Sequence, residues 1–553
     1  MKKIISLLLA FTLALCCLPA FAAETPSLTL AVASDLHYNL PEETLTRFTD
    51  DPLYGHANRR AAMENESGFI IDAFLADCAK KNVDFVLISG DLADNGRSIP
   101  EEHYAVRDRL LAFEKATGIE VFVIDGNHDL GSGAKTDIAD FKKIYKDLGY
   151  DHARSARAED CSYTADLGDR YRLIALDSCD PTVSTEDGMS LAKTRWAVEE
   201  AKAAYKDGRF PLLMMHHNLL DHMPLQRIFS HNFIVRNHLA TAALFADAGI
   251  KVVFTGHEHC SDAAVYTSPA GNVIRDFATT SLTMYPLAYR LMRFTDEEIR
   301  YGEEYISSID TAALSAAVQG YTPEILSAME TDLTAFSKQY LKKGVEYRLS
   351  LSLTMEKSGI EEGSPFYPLV DAAFSSLRSL LEMPLYGEGS AAGLAASYNI
   401  EIPATPYATG WDLATELVSA HYEGSEHYDI TGPEVTALLR LASLILKYVP
   451  DGVSDALFTG AAGAVVNALT LREAKALCRS VFGGVTPGEV FAAALVSGLV
   501  YGFANDADGL DDNNGAFEGY GKTDRVSALS QKLTAFFNKI LLLVKNFFAV
   551  IGD

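Results

Sequence analysis

The stretch VFVIDGNHDL, residues 121–130, sets a strongly apolar run directly against a group of polar side chains. The run VFVI is followed at once by DGNHD, which contains Asn127, His128 and Asp129. A short continuous apolar run rich in β-branched and aromatic residues is typical of a strand that is buried on both faces. The stretch therefore predicts a buried strand that carries chemically active side chains at its carboxyl end.

The same arrangement recurs along the first half of the chain. Further apolar runs are LTLAVAS, DFVLISG, YRLIALDS, FPLLMMH and KVVFTGH, and the segments ENESGFIIDAFLADCAKK and EEHYAVRDRLLAFEKATG between them have helical periodicity. Gly118 is placed to end the second helix. Alternation of strands and helices predicts an α/β fold with a largely parallel central sheet. A second set of strands, DAAVYTS, VIRDFATTS and AYRLMRFT, follows with little helix between them.

Five of these strands end in carboxylate, imidazole or carboxamide side chains. The seven donors are Asp35, His37, Asp91, Asn127, one of His216 and His217, His257 and His259. In open α/β sheets, sites form beyond the carboxyl ends of the strands, so these distant residues can converge. Mixed oxygen and imidazole donors suit Mn, Fe or Zn.

Seven donors are too many for one such ion and indicate two divalent metal ions. Asp91, in a tight Gly-Asp turn, can bridge them through its two carboxylate oxygens. The neighbouring glycines Gly90, Gly126 and Gly256 permit a close backbone approach or a positive φ.

The motifs D-x-H, GD-x-x-x-N-G, GNHD, a strand-end histidine and GH-x-H, in this order, resemble those of the calcineurin-like metallophosphoesterases over about residues 28–294. GDLADNGRSIPEEHYAVRDRL and the LDS that begins at Leu176 resemble the cyclic-nucleotide and glycerophosphodiester phosphodiesterase-like branch. The resemblance implies a four-layered αββα sandwich with a two-metal centre.

The resemblance also implies a role for each donor. One ion would be held by Asp35, His37, Asp91 and His259, and the other by Asp91, Asn127, the strand-end histidine and His257. In the family that histidine directly follows the strand, which selects His216 and leaves His217 as a rim or packing residue. His128 would bind the phosphate or protonate the leaving group, and Asp129 would orient His128.

Several other polar residues have two interpretations. Asn95 either touches substrate or belongs to an ordinary Asn-Gly turn. Rim positions are predicted for Tyr38, Asn39 and His56, and mostly solvated positions for His222, His231 and His238. The cysteines beyond the N-terminal segment have spacings that fit no disulfide framework, which favours free buried thiols.

The chain divides into three parts by composition. Residues 1–22 have the basic start, apolar core and small-x-small end of a signal peptide, which predicts a secreted, cell-surface or periplasmic protein. Residues 26–305 form the predicted catalytic domain. The Ala- and Leu-rich residues 310–553 are predicted to form a mainly helical C-terminal domain.

Two segments of the second half have competing interpretations. The acidic stretch NDADGLDDNNGAFEGYG, residues 505–521, is predicted to be a solvated loop, with weak calcium binding as the alternative. Residues 526–551 form an apolar segment with a narrow polar stripe, which indicates docking onto the helical domain or peripheral membrane contact as an in-plane helix.

The predicted function is a secreted binuclear metal-dependent phosphohydrolase, preferentially a phosphodiesterase, that uses metal-activated hydroxide on a small phosphoester substrate. A phosphomonoesterase or nucleotidase with the same core, a non-catalytic surface protein with a vestigial core, and a membrane-surface lipid phosphodiesterase are the alternatives. The formal net charge of −27 argues against nucleic-acid binding. The sequence predicts no oligomeric state.

Overall fold

A computed structural model describes most of residues 28–446 and a short segment near the C-terminus. The described residues are 28–224, 226–352, 354, 362, 367–425, 428–429, 431–446 and 510–520. The predicted signal peptide and the predicted helix at 526–551 lie outside them. Among the described residues, no helix is both long and apolar enough to cross a membrane.

Thirteen strands are present in this part of the chain. In chain order they are β1 (Leu28–Ala33), β2 (Phe85–Ile88), β3 (Glu120–Val123), β4 (Ser155–Ala156), β5 (Tyr163–Leu167), β6 (Tyr171–Ala175), β7 (Phe210–Met214), β8 (Val252–Thr255), β9 (Asp262–Thr267), β10 (Val273–Ala278), β11 (Ala288–Phe294), β12 (Glu298–Tyr305) and β13 (Asn514–Glu518).

The helices fall into two groups, before and after residue 310. The first group is α1 (Ser67–Lys81), α2 (Pro100–Thr117), α3 (Ile138–Ile144), α4 (Leu191–Lys206), α5 (Gln226–Phe229) and α6 (His238–Asp247). The second is α7 (Thr311–Ala317), α8 (Pro323–Thr331), α9 (Leu333–Ser352), α10 (Tyr367–Glu382), α11 (Ala391–Ala396), α12 (Gly410–Glu423) and α13 (Pro433–Leu446). The predicted helical content of the second half is confirmed for the described residues.

Two sheets pack face to face, formed by the strands of the first half of the chain together with β13. The first has the strand order β13-β12-β11-β1-β2-β3 and the second β4-β5-β6-β7-β8-β10-β9. Val32 of β1 and Leu212 of β7 belong to one buried cluster between the sheets, whereas Leu213 belongs to a second cluster together with Ala201 of α4 and Phe245 of α6. Successive strand residues face opposite ways, so β7 contributes to both layers of packing. Since α1 and α2 cover the first sheet in the same manner, the predicted αββα sandwich is confirmed.

The sheets also explain why the strand ends meet. β1, β2 and β3 are parallel neighbours, and β6, β7, β8 and β10 are parallel neighbours in the other sheet. Their carboxyl ends therefore lie at the same edge of the sandwich. The helix that was predicted to end at Gly118 does so: Gly118 has a φ of 76° and its N–H donates to the Glu114 carbonyl.

Strand β13 corrects the prediction of a solvated acidic loop. It pairs antiparallel with β12, from Glu298 opposite Glu518 to Gly302 opposite Asn514. The three outward residues of β13 are exposed, and Phe517 packs beneath the Arg275 guanidinium at 4.1 Å. The strand could not be predicted from the polar composition of the segment, because only its inward-facing residues pack against the protein.

Tyr520 anchors β13 to the second sheet. Its buried ring stacks on Phe210 at 4.7 Å between centroids, and its hydroxyl donates to the Pro211 carbonyl at 2.7 Å and accepts from the Lys251 N–H at 3.3 Å. A segment more than 200 residues beyond the sandwich in sequence is therefore part of its core.

Replacing Tyr520 with phenylalanine is expected to lower the free energy of unfolding by about 2 kcal/mol, because it removes both hydrogen bonds of the buried hydroxyl. Chemical denaturation followed by circular dichroism measures this change. Tyr104→Phe is the matched control, since Tyr104 is 45 % exposed, and an equal loss in both variants would contradict the anchoring role of Tyr520.

Candidate metal centre

The loops after five strands carry the predicted ligands and are hydrogen-bonded to one another. The Asp35 N–H donates to the Gly90 carbonyl at 3.0 Å, and the Gly256 N–H donates to the His216 carbonyl at 2.9 Å. The His257 N–H donates to an Asp35 carboxylate oxygen at 2.9 Å, which joins the loops of the two sheets.

One group of ligand atoms lies around Asp35, His37 and His259. The Nε2 atoms of His37 and His259 are 3.1 Å apart. Asp35 Oδ1 is 3.1 Å from the same atom of His259 and 3.6 Å from that of His37. One atom from each residue lies within 4.8 Å of the others, a spacing suited to a single cation.

A second group lies around Asp91, His216 and His257, again with ligand atoms within 4.8 Å. His216 Nε2 is 3.4 Å from Asp91 Oδ2 and 3.0 Å from Asn127 Oδ1. Asp91 Oδ2 is also 3.6 Å from His37 Nε2, so it lies between the two groups. The structure thus brings all seven predicted ligands together, with Asp91 in the bridging position.

The chemistry of this donor set fits divalent cations. Asp91 Oδ2 is buried and has no hydrogen-bond partner among the described residues. An unsatisfied buried carboxylate oxygen costs about 1–3 kcal/mol or more, and a bound cation would satisfy it. Two imidazole nitrogens at 3.1 Å with a shared carboxylate neighbour are likewise suited to cation ligation.

Burial and neighbouring charges shift the pKa values of the predicted ligands in different directions. Burial raises the pKa of Asp91, but His216 and His128 outweigh this and hold its pKa well below the usual range. Burial and the nearby His217 lower the pKa of His257, so its imidazole is neutral, as a metal ligand must be.

Two other histidines have raised pKa values. Burial lowers the pKa of His37, but hydrogen bonds with Asp35 and Asp94 outweigh it and raise the pKa to about 10. Burial likewise lowers the pKa of His216, and the charges of Asp91 and Asp35 raise it to about 9. Cation binding must displace these protons, so affinity should fall as the pH is lowered.

The ligand loops adopt a backbone conformation that L-residues seldom use. The left-handed residues at the centre are Asp35 (φ 49°), His37 (φ 38°), Asp91 (φ 48°), His257 (φ 67°) and His259 (φ 61°). Each such residue costs on the order of 1–3 kcal/mol, and residues of this kind cluster at functional sites. The hydrogen bonds between the loops hold the conformation in place.

Glycine is required at two positions beside the ligands. A Cβ on Gly126 would meet the Asp91 carboxylate, and a Cβ on Gly256 would meet Ser34 and Asp35. The close approach predicted for these glycines is therefore present.

His128 lies beside the ligands, with its side chain 34 % exposed. Its Nδ1 forms a hydrogen bond with the Asp94 carbonyl at 2.8 Å, and burial lowers its pKa. The Asp129 carboxylate instead accepts backbone N–H groups of Leu92, Ala93 and Gly126. The orienting role predicted for Asp129 is therefore wrong: Asp94 holds His128, and Asp129 braces the loops.

Asp94 is the residue that motif reasoning missed. Its carboxylate lies 2.9 Å from His37 Nδ1 and accepts from Arg60 at 2.6 Å. A carboxylate in this position fixes the tautomer and orientation of a metal-binding histidine and leaves Nε2 for the ion. Burial raises the pKa of Asp94, but His37 and Arg60 outweigh it and lower the pKa to about 2. Its place three residues after Asp91 was the available signal.

Two histidines predicted to be solvated are buried. His222 lies between Asp262 and Asp276, with nitrogen-to-oxygen distances of 2.6 and 3.1 Å, and His238 pairs with Asp221 at 2.9 Å. His231 is exposed as predicted. The carboxylates that bury His222 come from β9 and β10, a partnership that the local sequence does not reveal.

Two of the three predicted rim positions, those of Tyr38 and His56, are also corrected. His56 is buried beneath the second half of the chain, where the Tyr340 hydroxyl donates to its carbonyl at 3.1 Å. Tyr38 is buried with Arg109 over its ring at 5.1 Å, and the Asn39 side-chain amide donates to the His37 carbonyl.

For the remaining polar residues, the structure agrees with the interpretation as turn or packing residues. Asn95 donates its backbone N–H to Glu102 and its side-chain amide to Asn39, as a turn residue. His217 is buried against Ser178 at 3.0 Å, as a packing residue. The four cysteines that the structure describes, Cys78, Cys161, Cys179 and Cys260, are buried thiols, as predicted.

Comparison with known proteins finds one family model that matches part of the chain. The family model of the calcineurin-like phosphoesterases matches residues 28–261. No curated protein sequence matches the chain.

Three solved structures are among those similar to it. A dimetal phosphatase from Danio rerio is 12 % identical, with coverage of 51 % of this chain and 97 % of that chain and a TM-score of 0.38. A predicted phosphoesterase from Streptococcus pneumoniae is 13 % identical, with coverage of 50 % and 90 % and a TM-score of 0.23. The anchor protein of the inner membrane complex of Plasmodium is 11 % identical, with coverage of 51 % and 86 % and a TM-score of 0.30.

Proposed function

Because residues 28–261 match the family model of the calcineurin-like phosphoesterases, we propose that the chain is a hydrolase of phosphate esters that works with two divalent cations. The observation that carries the proposal is the position of Asp91 Oδ2, which lies 3.6 Å from His37 Nε2 and 3.4 Å from His216 Nε2. A single buried carboxylate oxygen is thereby shared by two ligand groups.

In this proposal one cation is held by Asp35, His37, Asp91 and His259, and the other by Asp91, Asn127, His216 and His257. Bound divalent cations supply Lewis acidity, which lowers the pKa of water and neutralises charge on the phosphoryl oxygens. The protein fixes the direction of the ligands: the Ser89 carbonyl accepts from His216 Nδ1 at 3.0 Å, and Asp94 accepts from His37 Nδ1 at 2.9 Å. Both Nε2 atoms are thereby left for the ions.

His128 is the proposed proton donor to the departing oxygen, a role that requires its imidazolium form because the Asp94 carbonyl already holds Nδ1–H. Three contacts support this role: the Asp94 carbonyl holds its Nδ1, the Asp91 carboxylate holds its backbone N–H at 2.8 Å, and its ring is edge-on to His37 at 4.8 Å. These contacts keep the imidazole beside the ligands while its outer edge stays accessible. In this proposal the His128 side chain is not a ligand of either cation.

We further propose a preference for phosphodiesters, which rests on the resemblance of GDLADNGRSIPEEHYAVRDRL and LDS to the diesterase-like branch. Asp177 of LDS is buried and pairs with Lys193 at 3.1 Å, so this residue supports the fold beneath the site. A monoesterase with the same core is the second candidate, since the ligand set serves either reaction.

The expected result is a higher kcat/KM for bis(p-nitrophenyl) phosphate than for p-nitrophenyl phosphate after the purified protein is loaded with Mn²⁺, Zn²⁺ or Fe²⁺. Release of p-nitrophenolate measures both rates in parallel. The opposite ranking would establish a monoesterase instead.

Export and membrane contact are proposed on sequence alone. Residues 1–22 would direct export, which cell fractionation can follow. Residues 526–551 would either dock onto the helical half of the chain or bind a membrane surface, and liposome flotation with and without residues 526–553 tests the membrane alternative. Equal flotation of the two forms would remove the lipid-directed alternative.

A further inference from the structure

The loop that carries His257 and His259 is covered by the second half of the chain. The Ser261 N–H, two residues beyond His259, donates to the Tyr422 carbonyl at the end of α12, at 3.2 Å. Gly424 follows and approaches the Ser261 carbonyl so closely that a Cβ there would overlap it. Helix α12 thus ends against the backbone of the ligand loop.

Buried polar side chains reinforce the contact. Glu258 lies between the two predicted ligands in sequence and is buried. One of its carboxylate oxygens accepts from Gln226 at 3.1 Å, and the other is 4.0 Å from Nε2 of His421 on α12. His421 is itself 2 % exposed, so α12 excludes water from this side of the loop.

The segment before β13 holds the far end of the same loop. Asp512 accepts from the Ala263 N–H at 3.1 Å, and its carbonyl accepts from Arg290 at 2.7 Å. The buried Arg290 also donates to the Asp262 carbonyl at 2.8 Å. Because Asn513 donates to the Gly424 carbonyl at 3.5 Å, the segment and α12 form one surface.

A third contact reaches His259 through its other ring nitrogen. His259 Nδ1 is 3.1 Å from the sulfur of Met284, and Met284 packs in a buried cluster with Leu341 and Val345 of α9. The second half of the chain therefore touches both the backbone and the ring environment of the predicted ligands.

We propose that residues 421–424 and 511–513 form a clamp that positions His257 and His259 for cation binding. The helical half of the chain is then a part of the metal centre and not a separate module. This inference rests on the proposed function, because it assigns a role toward the cations of that site.

The physical reason is the strained backbone of the two ligands. His257 and His259 have φ values of 67° and 61°, which L-residues adopt only when their surroundings enforce them. Residues that contact a metal ligand without binding the metal keep that ligand in the orientation needed for coordination. Their loss typically weakens metal affinity by about 10–100-fold. Coupling is reciprocal, so cation binding must stabilise the clamp by the same factor.

The chain offers a matched pair of variants to test the clamp. Gly424 and Gly389 have the same φ of 69°, so alanine strains the backbone equally at both. A Cβ at position 424 meets Ser261, Asn513 and Asp512, whereas a Cβ at position 389 meets nothing within 4 Å among the described residues. Only Gly424→Ala therefore pushes the clamp from the loop.

Zn²⁺ affinity of the full chain, measured by equilibrium dialysis, is the primary readout. We expect Gly424→Ala to bind at least one zinc ion about 10-fold more weakly than the wild type, and Gly389→Ala to bind within about 2-fold of it. Equal affinities in the two variants would overturn the clamp while leaving the proposed function intact. Failure of the wild type to bind zinc would overturn both.

Hydrogen exchange of the wild type provides a test that needs no variant. Zinc is expected to slow amide exchange in α12 and in residues 510–520, and to leave α11, Ala391–Ala396, unchanged. Unchanged exchange in α12, or equal slowing in α11, would overturn the coupling.

Discussion

Replacing Asp91 with alanine is expected to remove both cations and to lower kcat/KM by at least about 10³-fold, because several kcal/mol of transition-state stabilisation is lost with the metal centre. Other predicted ligands serve one group of donors, whereas Asp91 Oδ2 lies within 3.6 Å of histidine nitrogens in both. Metal content by elemental analysis and hydrolysis of bis(p-nitrophenyl) phosphate measure the two effects.

Two further variants make the Asp91 result specific. Asp91→Asn keeps the shape of the side chain and is expected to lose the cations as well, since a neutral amide cannot bridge two of them. Asp108→Ala changes a carboxylate that is 67 % exposed and should retain both metal and activity. Full activity in Asp91→Ala with an intact circular dichroism spectrum would show that the hydrolytic site lies elsewhere.

Replacing His128 with alanine is expected to leave the metal content unchanged and to lower kcat by about 10²–10⁴-fold on a diester with an alkyl leaving group. The His128 side chain is held through the Asp94 carbonyl, outside the seven predicted ligands. An alkoxide leaves slowly without a proton, so loss of the donor is felt most strongly there.

The leaving group separates the two roles considered for His128. p-Nitrophenolate departs without protonation, so a proton donor predicts a much smaller loss on bis(p-nitrophenyl) phosphate than on the alkyl diester. A residue that only binds phosphate predicts equal losses on both substrates, and that outcome would contradict the proton-donor role. His152→Ala, at a histidine whose side chain is 52 % exposed, is the control and should match the wild type.

The fold and the ligand set can be predicted from sequence because their signals are local. An apolar run such as VFVI predicts a buried strand, and the residues after it must lie at the carboxyl edge of a parallel sheet. Asp35, Asp91 and His257 each follow such a run within three residues, so their convergence requires no knowledge of the loops between them. Alternation of strands and helices likewise predicts an α/β fold, and the αββα layers are what the family resemblance implies.

Features that depend on distant partners escape this reasoning. His222 appears in a polar loop, yet Asp262 and Asp276 bury it from strands formed 40 or more residues later. The positive φ values of the ligands arise from hydrogen bonds between loops of different strands, which no sequence spacing encodes. β13 escapes for the same reason, since its partner β12 precedes it by more than 200 residues.

The observed contacts of the second half of the chain revise the interpretation of that half as a separate domain. Composition indicates a separate helical domain from residue 310, whereas α12 and Asp512 contact the loop that carries His257 and His259. The periodicity of an amphipathic helix predicts that its apolar face is buried, but it does not identify the surface against which that face packs. The contacts of the clamp therefore could not be predicted from composition or periodicity.

Metal analysis of the purified full chain, coupled to hydrolysis before and after chelation, tests whether a binuclear metal centre carries out the hydrolysis. The proposed binuclear centre predicts two divalent cations per chain, hydrolysis of bis(p-nitrophenyl) phosphate that disappears on chelation, and its return when the cation is added back. A protein that binds no divalent cation, or whose hydrolysis is unaffected by complete removal of the metal, would contradict it.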